Sequence, residues 1–230
     1  MAVGPADLAR TIIGVTGNIT SFLLFASPLP TFYRIAKNKS VEEFKPDPYI
    51  AGAMNCIFWI LYGLPVIHPN SILVLTINGI GLALELGYLA IFFTYTCTGQ
   101  RLKIICMLFA EVVFTAIVAC IALLAFHTTP SRSNFVGPFC VLFGVVLYSS
   151  PLTIMKTVIE TKSVEFMPFW LSVAAFSNGV VWLIYALIKF DPYIMTGNCI
   201  GAILGAAQLV LYAYYYKPTP KGRNFSFSSI

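Results

Sequence analysis

Long runs of hydrophobic residues alternate along the chain with short polar segments. Most of these runs contain no Lys or Arg in their interiors. They cover residues 8–33, 48–67, 71–96, 104–126, 134–156, 167–188 and 192–216. Because an α-helix needs about 20 apolar residues to cross the hydrocarbon core of a bilayer, each run predicts one transmembrane helix. We therefore expect an all-α membrane protein of seven transmembrane helices.

The composition agrees with a membrane protein and argues against a soluble domain. Of the 230 residues, 58% are hydrophobic and only 10% are charged, and the mean hydropathy is +0.84. Soluble globular domains carry about 25% charged residues. The net charge of +5 does not indicate a nucleic-acid partner, because the basic residues are scattered between the apolar runs instead of forming one face.

The distribution of basic residues predicts the orientation of the chain. If the N-terminus lies outside, the cytosolic segments contain eleven Lys and Arg residues and the outer segments only three. Short cytosolic loops of membrane proteins are enriched in Lys and Arg. We therefore expect an extracellular N-terminus and a cytosolic C-terminus.

The second half of the chain repeats the first. The segment SPLPTFYRIAKNKSVEEF at 27–44 aligns with SPLTIMKTVIETKSVEFM at 150–167, an offset of 123 positions. The same offset pairs Asn55 with Asn178, Trp59 with Trp182 and Tyr62 with Tyr185. After the next loop the offset becomes 120, which pairs Asn78 with Asn198 and Gly81 with Gly201.

This repeat predicts the organisation of the bundle. The first three helices correspond to the last three, and the fourth has no counterpart. A single helix between the repeats returns the second to the orientation of the first, so the repeats are parallel. We expect a three-helix bundle over 8–97, a linker helix over 103–126, a second bundle over 134–216 and a cytosolic tail over 217–230. Transporters built this way bind substrate at the repeat interface.

Asparagine and tryptophan residues recur at matching positions in both repeats. Asn55, Trp59 and Tyr62 share one helix face, because residues three and four apart are neighbours on a helix. Their counterparts do the same, and Asn78 and Asn198 reach about that depth from the outside. Amides bind sugar hydroxyls, and aromatic rings pack on the apolar face of a sugar. The alternative is that these residues only join helices and fill the core.

Few other side chains suggest chemistry. The six cysteines show no CxxC spacing, and no His lies inside a predicted helix, so we expect neither a metal site nor any other cofactor. No nucleophile and base occur together, which argues against an enzyme. Glu85 and Glu111 are acids within predicted helices. We expect Glu85 to be a protonated, hydrogen-bonded structural group, with a proton-binding role as the alternative, and Glu111 to be structural.

A set of motifs is spread over both halves of the chain: Gly17-Asn18, Ser27 to Phe32, Trp59 to Gly63, Thr76 to Gly79, Ser163 to Pro168, Asn198 and Gly201. Through these motifs the chain closely resembles the plant-type SWEET family of sugar transporters. The resemblance runs from the first helix to residue 217. It implies a passive, bidirectional sugar uniporter that works by alternating access, embedded in a lipid bilayer. It also implies the plasma membrane, with an internal membrane as the alternative.

The resemblance adds residues to the expected sugar pocket. It assigns Ser21, Leu24, Gly144 and Leu147 to the pocket walls, beside the Asn and Trp pairs. It also implies an extracellular gate made by Tyr62 and Asp191. Without the family, Asp191 is an ordinary N-cap ahead of a proline. Whether several copies of the chain associate is left open by the sequence.

Four prolines are expected near the cytosolic helix ends. In the family they form a tetrad that opens the cytosolic gate, here Pro28, Pro48, Pro151 and Pro168. Pro28 and Pro151 are each followed by further apolar residues, which favours a hinge within a helix. Pro48 and Pro168 also suit the start of a helix.

The size of the pocket residues favours a monosaccharide such as glucose over sucrose. Leu24, Asn55, Leu147 and Asn178 are larger than the Val and Ser residues that the resemblance associates with sucrose transport. Close-packed walls do not make room for a second ring. Two alternatives to a sugar uniporter stay open: a proton-coupled transporter of another small solute of the PQ-loop type, and a sugar-sensing membrane receptor.

Overall fold

The computed structural model describes residues 4–217 and is all-helical over that range. Its helices are α1 (Pro5–Ala26), α2 (Leu29–Asn38), α3 (Asp47–Gly63), α4 (Ile72–Tyr95), α5 (Thr98–Ala125), α6 (Thr129–Leu147), α7 (Ser149–Thr161), α8 (Phe169–Ile188) and α9 (Pro192–Tyr215). Of the expected tail over 217–230, all but Lys217 lies outside the described residues.

Seven helical stretches account for the seven predicted spans. Within the described range, six are long and apolar enough to cross a membrane by length and composition: Pro5–Asn38, Ile72–Tyr95, Thr98–Ala125, Thr129–Thr161, Phe169–Ile188 and Pro192–Tyr215. The seventh is α3, which has 17 residues. At 1.5 Å per residue α3 is about 25 Å long, the lower end of what a bilayer requires. The seven-helix, all-α prediction is confirmed.

The first and fifth spans are each broken into two helices. Helix α1 ends where Ser27 donates its backbone N–H to Leu24 at 3.1 Å, and Pro28 is the N-cap of α2. The equivalent break separates α6 from α7 at Tyr148, and Pro151 is the third residue of α7. Proline has no N–H to continue the helical hydrogen bonds, so a break beside Pro28 follows from its chemistry. Pro138 also lies inside α6, and it was not among the four prolines to which the sequence analysis gave a role.

The chain divides into two compact units at these two breaks. The terminal unit contains the residues up to Ser27 and those from Tyr148 onward, and the middle unit contains Pro28 to Leu147. In the terminal unit α1 packs on α8, and α8 packs on α9. In the middle unit α3 packs on α4 and on α6. These units do not follow the boundaries of the sequence repeat. The three-helix bundles over 8–97 and 134–216 therefore remain a prediction from the sequence.

Close backbone contact holds α8 and α9 together in the terminal unit. A Cβ atom on Gly179 would lie 2.7 Å from the backbone nitrogen of Ala202. A Cβ atom on Gly205 would lie 2.7 Å from the Cα atom of Phe176. Both distances are too short for any side chain, so these glycines allow the two backbones to approach. Small residues serve the same purpose at many helix interfaces in membranes.

Side chains fill the core of the middle unit instead. One cluster of buried residues consists of Phe32, Ile35, Ile50, Tyr88, Leu89, Phe92 and Ile104. Between α3 and α6, the Phe58 ring lies 4.8 Å from that of Phe143 and 5.6 Å from that of Phe139. Aromatic pairs at such distances stabilise a core beyond simple burial.

The repeated Lys-Ser-Val-Glu motif folds in a similar way in both units. Lys39 and Lys162 end α2 and α7 in the left-handed conformation, with φ of 52° and 54°. The next serine then accepts a 3.2 Å hydrogen bond from the backbone N–H of the glutamate, Glu42 or Glu165. The two turns therefore share these two features but differ at the glutamate, because Glu42 has a positive φ of 46° and Glu165 does not.

Candidate functional site

Helix α8 aligns two predicted site residues and a tyrosine of the terminal unit on one face. Asn178, Trp182 and Tyr185 are separated by four and three positions, and the rings of Trp182 and Tyr185 lie 5.1 Å apart. Both aromatic side chains are buried. The predicted sugar-contacting residues of this unit are Ser21, Leu24, Asn178, Trp182 and Asn198, and we call them the terminal half-site.

A hydrogen-bond network fixes the centre of the terminal half-site. Asn178 Oδ1 accepts from Thr20 Oγ1 at 2.8 Å and from Ser21 Oγ at 2.7 Å. Trp182 Nε1 donates to the same Ser21 Oγ at 2.9 Å. A Cβ atom on Gly17 would lie 2.8 Å from the indole ring, so a glycine there lets α1 approach Trp182. Helix α1 thus orients both the amide and the indole.

Asn198 is held by its own helix. Its Nδ2 donates to the backbone oxygen of Ile194 at 2.8 Å. The neighbouring turn of α9 is fixed by Tyr148, whose hydroxyl donates to the Gly197 carbonyl at 2.7 Å. A Cβ atom on Gly201 would lie 2.6 Å from that hydroxyl, so glycine is required for this contact. The packing of Tyr148 against α9 therefore explains why glycine occupies position 201.

The middle unit carries the second set of predicted residues, the middle half-site. It consists of Asn55, Trp59, Asn78, Gly144 and Leu147. Trp59 lies edge-on to the Tyr62 ring at 5.7 Å. Asn78 is buried and donates its Nδ2 to the Val74 carbonyl at 2.9 Å, as Asn198 does in its helix. The paired asparagines of α4 and α9 thus have the same local geometry.

Asn55 differs from its counterpart Asn178. Its Oδ1 atom is buried and has no hydrogen-bond partner among the described residues. The position equivalent to Ser21 is Gly144, and a Cβ atom there would lie 3.7 Å from Asn55 Oδ1. The sequence predicted the pairing of Asn55 with Asn178. Only the structure shows that Ser21 bonds Asn178, whereas the equivalent Gly144 has no hydroxyl to offer Asn55. The middle half-site therefore holds an unused acceptor.

Leu24 and Leu147 occupy matching places next to the two helix breaks. Leu24 lies in the last turn of α1, and Leu147 is the last residue of α6. Both side chains are half-buried. Their positions agree with the repeat offset, but neither side chain makes a polar contact, as expected for leucine.

The predicted outer-gate residues lie in different environments. Tyr62 is buried and stacks on His68, with ring centroids 4.6 Å apart. Asp191 is buried and caps α9, since its Oδ1 accepts from the backbone N–H groups of Tyr193 and Ile194 at 3.0 and 3.1 Å. The prediction that Asp191 is an N-cap is thus confirmed, whereas its role in the outer gate stays a prediction.

The four prolines predicted at the cytosolic gate also separate into two kinds. Pro48 is the second residue of α3, and Pro168 is the N-cap of α8, so both stand at helix starts. Pro28 and Pro151 stand beside the breaks within longer spans. These positions suit the hinge prediction for the latter pair.

Two features of the site were not predicted from the sequence. Thr20 contacts Asn178, and the guanidinium of Arg10 lies 4.2 Å from the centre of the Tyr185 ring. A threonine in a membrane helix usually bonds its own backbone, so its spacing gives no signal. Arg10 was counted only as an outer basic residue, although a buried Arg over an aromatic ring is a known stabilising contact.

Both intramembrane acids are buried, as their positions in the spans suggested. Glu85 lies against Gly52, where a Cβ atom would be 2.6 Å from the carboxyl Oε1. Its Oε2 has no hydrogen-bond partner among the described residues, and the same holds for Oε2 of Glu111. An ionised carboxylate without partners would be costly there, so the geometry suits neutral carboxyl groups.

The chain is similar to known proteins over most of its length. The family described as "Sugar efflux transporter for intercellular exchange" matches residues 11–99 and 134–220. The bidirectional sugar transporter SWEET4 of Arabidopsis thaliana is 57% identical over 94% of this chain and 86% of its own length. SWEET5 of the same plant is 52% identical over 92% and 88%, respectively. A solved structure of a eukaryotic SWEET transporter is 39% identical, with a TM-score of 0.89 over 93% of this chain and all of that one.

Proposed function

Since the chain belongs to the SWEET family of sugar transporters, we propose that it is a passive, bidirectional uniporter for monosaccharides such as glucose. Family membership makes it a transporter and not an enzyme. In the proposed cycle the sugar contacts the predicted Asn and Trp residues and is released to either side by alternating access. The driving force is the sugar gradient alone.

The observation that carries this proposal is the oriented Asn–Trp set of the terminal half-site. Buried polar groups destabilise a protein unless they are hydrogen-bonded. The hydrogen bonds of Asn178 and Trp182 also hold both side chains in one orientation, as expected for a preorganised binding surface. The indole offers an aromatic face, and the amide offers polar atoms beside it. A sugar needs both on neighbouring surfaces.

Flux into proteoliposomes tests the transport proposal directly. The purified protein should equilibrate labelled glucose in both directions and stop when the two concentrations are equal. Empty liposomes provide the control for leakage. Specific glucose binding to protein that catalyses no flux would contradict the uniporter and favour a sugar-sensing receptor.

The absence of proton coupling needs its own test, because Glu85 has an unpartnered carboxyl oxygen. We expect glucose uptake to be the same with and without an imposed pH gradient, and to be kept in Glu85→Gln. Glutamine has nearly the same shape but cannot bind and release a proton. Glucose accumulation that a proton gradient drives and that this substitution abolishes would establish the proton-coupled alternative.

The preference for monosaccharides rests on the volume of the pocket walls. Asn55→Ser together with Asn178→Ser should raise sucrose flux relative to glucose flux, because smaller side chains leave room for a second ring. The ratio of the two fluxes is the measurement, since it does not depend on the amount of protein. Efficient sucrose transport by the unaltered protein would contradict the volume argument.

The hinges and the orientation complete the proposal. We propose that Pro28 and Pro151 act as hinges of the cytosolic gate, with Pro48 and Pro168 beside them, and that Tyr62 and Asp191 serve the outer gate. We also propose that the protein lies in the plasma membrane with its N-terminus outside the cell. Pro28→Ala should restore helix hydrogen bonds and slow sugar exchange. Exchange at the unaltered rate would make this proline a structural residue only.

A further inference from the structure

Asn178 uses its carbonyl oxygen entirely within the protein. A carboxamide oxygen has two lone pairs. The hydroxyls of Thr20 and Ser21 both donate to it, at 2.8 and 2.7 Å. Its Nδ2 group makes no hydrogen bond to another described residue. The amide of the terminal half-site therefore has only donors left for a ligand.

Ser21 is itself held in place by the indole. Trp182 Nε1 can only donate, and it donates to Ser21 Oγ at 2.9 Å. The serine proton is then available for Asn178, which fixes the direction of that bond. Thr20 gives the second bond, although its hydroxyl also lies 3.0 Å from the Gly17 carbonyl. Thr20 and Ser21 thus act as a pair on one oxygen.

The middle half-site lacks both of these hydroxyls. The repeat offset pairs Thr20 with Phe143 and Ser21 with Gly144. Accordingly, Asn55 Oδ1 is buried with no partner in the described part of the chain. A buried oxygen of this kind is costly until a donor reaches it. The two equivalent asparagines have therefore become different: one has a free donor and the other a free acceptor.

We propose that Thr20 is a specificity-determining positioning residue, which with Ser21 makes Asn178 a hydrogen-bond donor to the sugar. This inference rests on the proposed sugar transport. It implies that the transported sugar needs a hydroxyl that accepts a hydrogen bond from this amide. Replacing a hydroxyl by fluorine removes the donor and keeps a weak acceptor, whereas replacing it by hydrogen removes both.

The test combines a double-mutant cycle with a panel of glucose analogues. KM and Vmax for glucose are measured in proteoliposomes for the wild type, Thr20→Val, Asn178→Ala and the double variant. Thr20→Val should raise KM roughly three- to tenfold with Vmax within about twofold, and Thr20→Ser should restore KM. In the Asn178→Ala background, Thr20→Val should leave KM unchanged. A merely structural role for Thr20 would raise KM equally in both backgrounds.

The analogues report on the direction of the hydrogen bond. With the wild type, at least one monofluoro sugar should compete with glucose better than the monodeoxy sugar altered at the same position. In Thr20→Val the amide oxygen keeps only the bond from Ser21 and is held less firmly, so this difference should shrink. The control is Thr16→Val, one turn earlier in α1, because Thr16 donates only to the Ile12 carbonyl at 3.0 Å and is exposed.

The outcomes separate this inference from the transport proposal. A wild type that carries no sugar refutes the proposed function and, with it, the basis of the inference. A wild type that carries glucose, with equal effects of Thr20→Val in both backgrounds or with no difference between fluoro and deoxy analogues, overturns the inference alone. Folding of each variant is checked by size-exclusion chromatography, and Thr20→Ala, which also removes the hydroxyl, takes the place of Thr20→Val if that variant fails to fold.

Discussion

Helices α3 and α4 of the first repeat and α8 and α9 of the second differ at one equivalent pair of positions. In the second repeat, Gly205 brings α9 against the backbone of Phe176. The position equivalent to Gly205 in the first repeat is Glu85, which has a long, ionisable side chain where glycine has none. There the glycine lies on the facing helix, because Gly52 makes room for the Glu85 carboxyl.

This difference shows which features of a duplicated bundle can change independently. The asparagines of α4 and α9 keep the same helix-bound geometry in both repeats. The packing around them has changed, from a backbone contact to a buried carboxyl group. The amides Asn55 and Asn178 have changed too, since only Asn178 is held by hydroxyls. Four experiments test this difference between the repeats.

The largest effect is expected where the repeats agree. Asn78→Ala or Asn198→Ala should nearly abolish sugar flux, because each removes a polar partner from the proposed pocket. The cost is about 1–3 kcal/mol, or roughly 5- to 150-fold in affinity. The two variants should behave alike, since the two amides have the same local geometry. Wild-type flux in either variant, with normal amounts of folded protein, would remove that residue from the pocket.

The next effect concerns the contrasting helix contacts. Gly205→Ala should destabilise the protein by about 1–3 kcal/mol, because the new methyl group meets backbone that cannot move locally. Gly52→Ala should cost less, since the group it meets is the end of a flexible side chain. Thermal unfolding in detergent compares the two, with Gly87→Ala as the control, because a Cβ atom there has nothing within 4 Å. The reverse order of stabilities would show that the Glu85 carboxyl is the more rigid contact.

A smaller effect is expected from making the middle half-site resemble the terminal one. Gly144→Ser places a hydroxyl near Asn55 Oδ1, since a Cβ atom there lies 3.7 Å away. The oxygen would then have an internal donor and be less available to a sugar. We expect KM for glucose to rise by roughly three- to tenfold. Gly144→Ala controls for bulk, and an equal rise in both variants would assign the effect to volume instead.

The smallest effect is expected at the repeated Lys-Ser-Val-Glu turn. Hydrogen bonds from Asn38 and then Arg34 hold the pKa of Glu42 below its usual range. A lowered pKa in the folded state stabilises the turn above the unfolded pKa, and this stability is lost as the pH falls through the folded pKa. Glu42→Gln should therefore speed amide hydrogen exchange over residues 38–46 at neutral pH only.

The second copy of the turn provides the control for that experiment. Glu165 occupies the equivalent position, but Thr161 and Thr157 replace Asn38 and Arg34. Glu165→Gln should therefore leave hydrogen exchange over residues 161–169 unchanged. Equal effects in the two turns would mean that the side-chain bonds of Glu42 contribute nothing beyond the turn itself.

Much of the fold could be predicted from hydrophobic runs and from the repeat. The runs located the spans because a bilayer requires a minimum apolar length. They could not show which helices pack together, because lipid and helix surfaces are equally apolar. The pairing of α1 with α8 therefore came only from the structure. The break at Pro28 was suggested by its chemistry, whereas Pro138 lies inside α6 without ending it.

The candidate site was predictable in its residue types but not in its hydrogen bonds. The spacing of Asn178, Trp182 and Tyr185 placed them on one face, as the structure shows. The contact of Thr20 with Asn178 joins residues 158 positions apart, and no local pattern encodes it. The free oxygen of Asn55 was equally invisible, because it depends on what the facing helix lacks.

The packing of α1 on α8 also has a consequence for how the protein is made. The ribosome completes α1 long before it reaches Trp182, which takes the Ser21 contact, or Lys189, which pairs with Asp7. At about 5–20 residues per second, the first helix spends roughly 10–30 seconds in the membrane without its packing partner. During that time its exposed Asn18, Thr20 and Ser21 face lipid or the insertion machinery. Assembly of the terminal unit is thus a late event of synthesis, and a nascent chain that stops before α8 leaves α1 as an unassembled helix for quality control to remove.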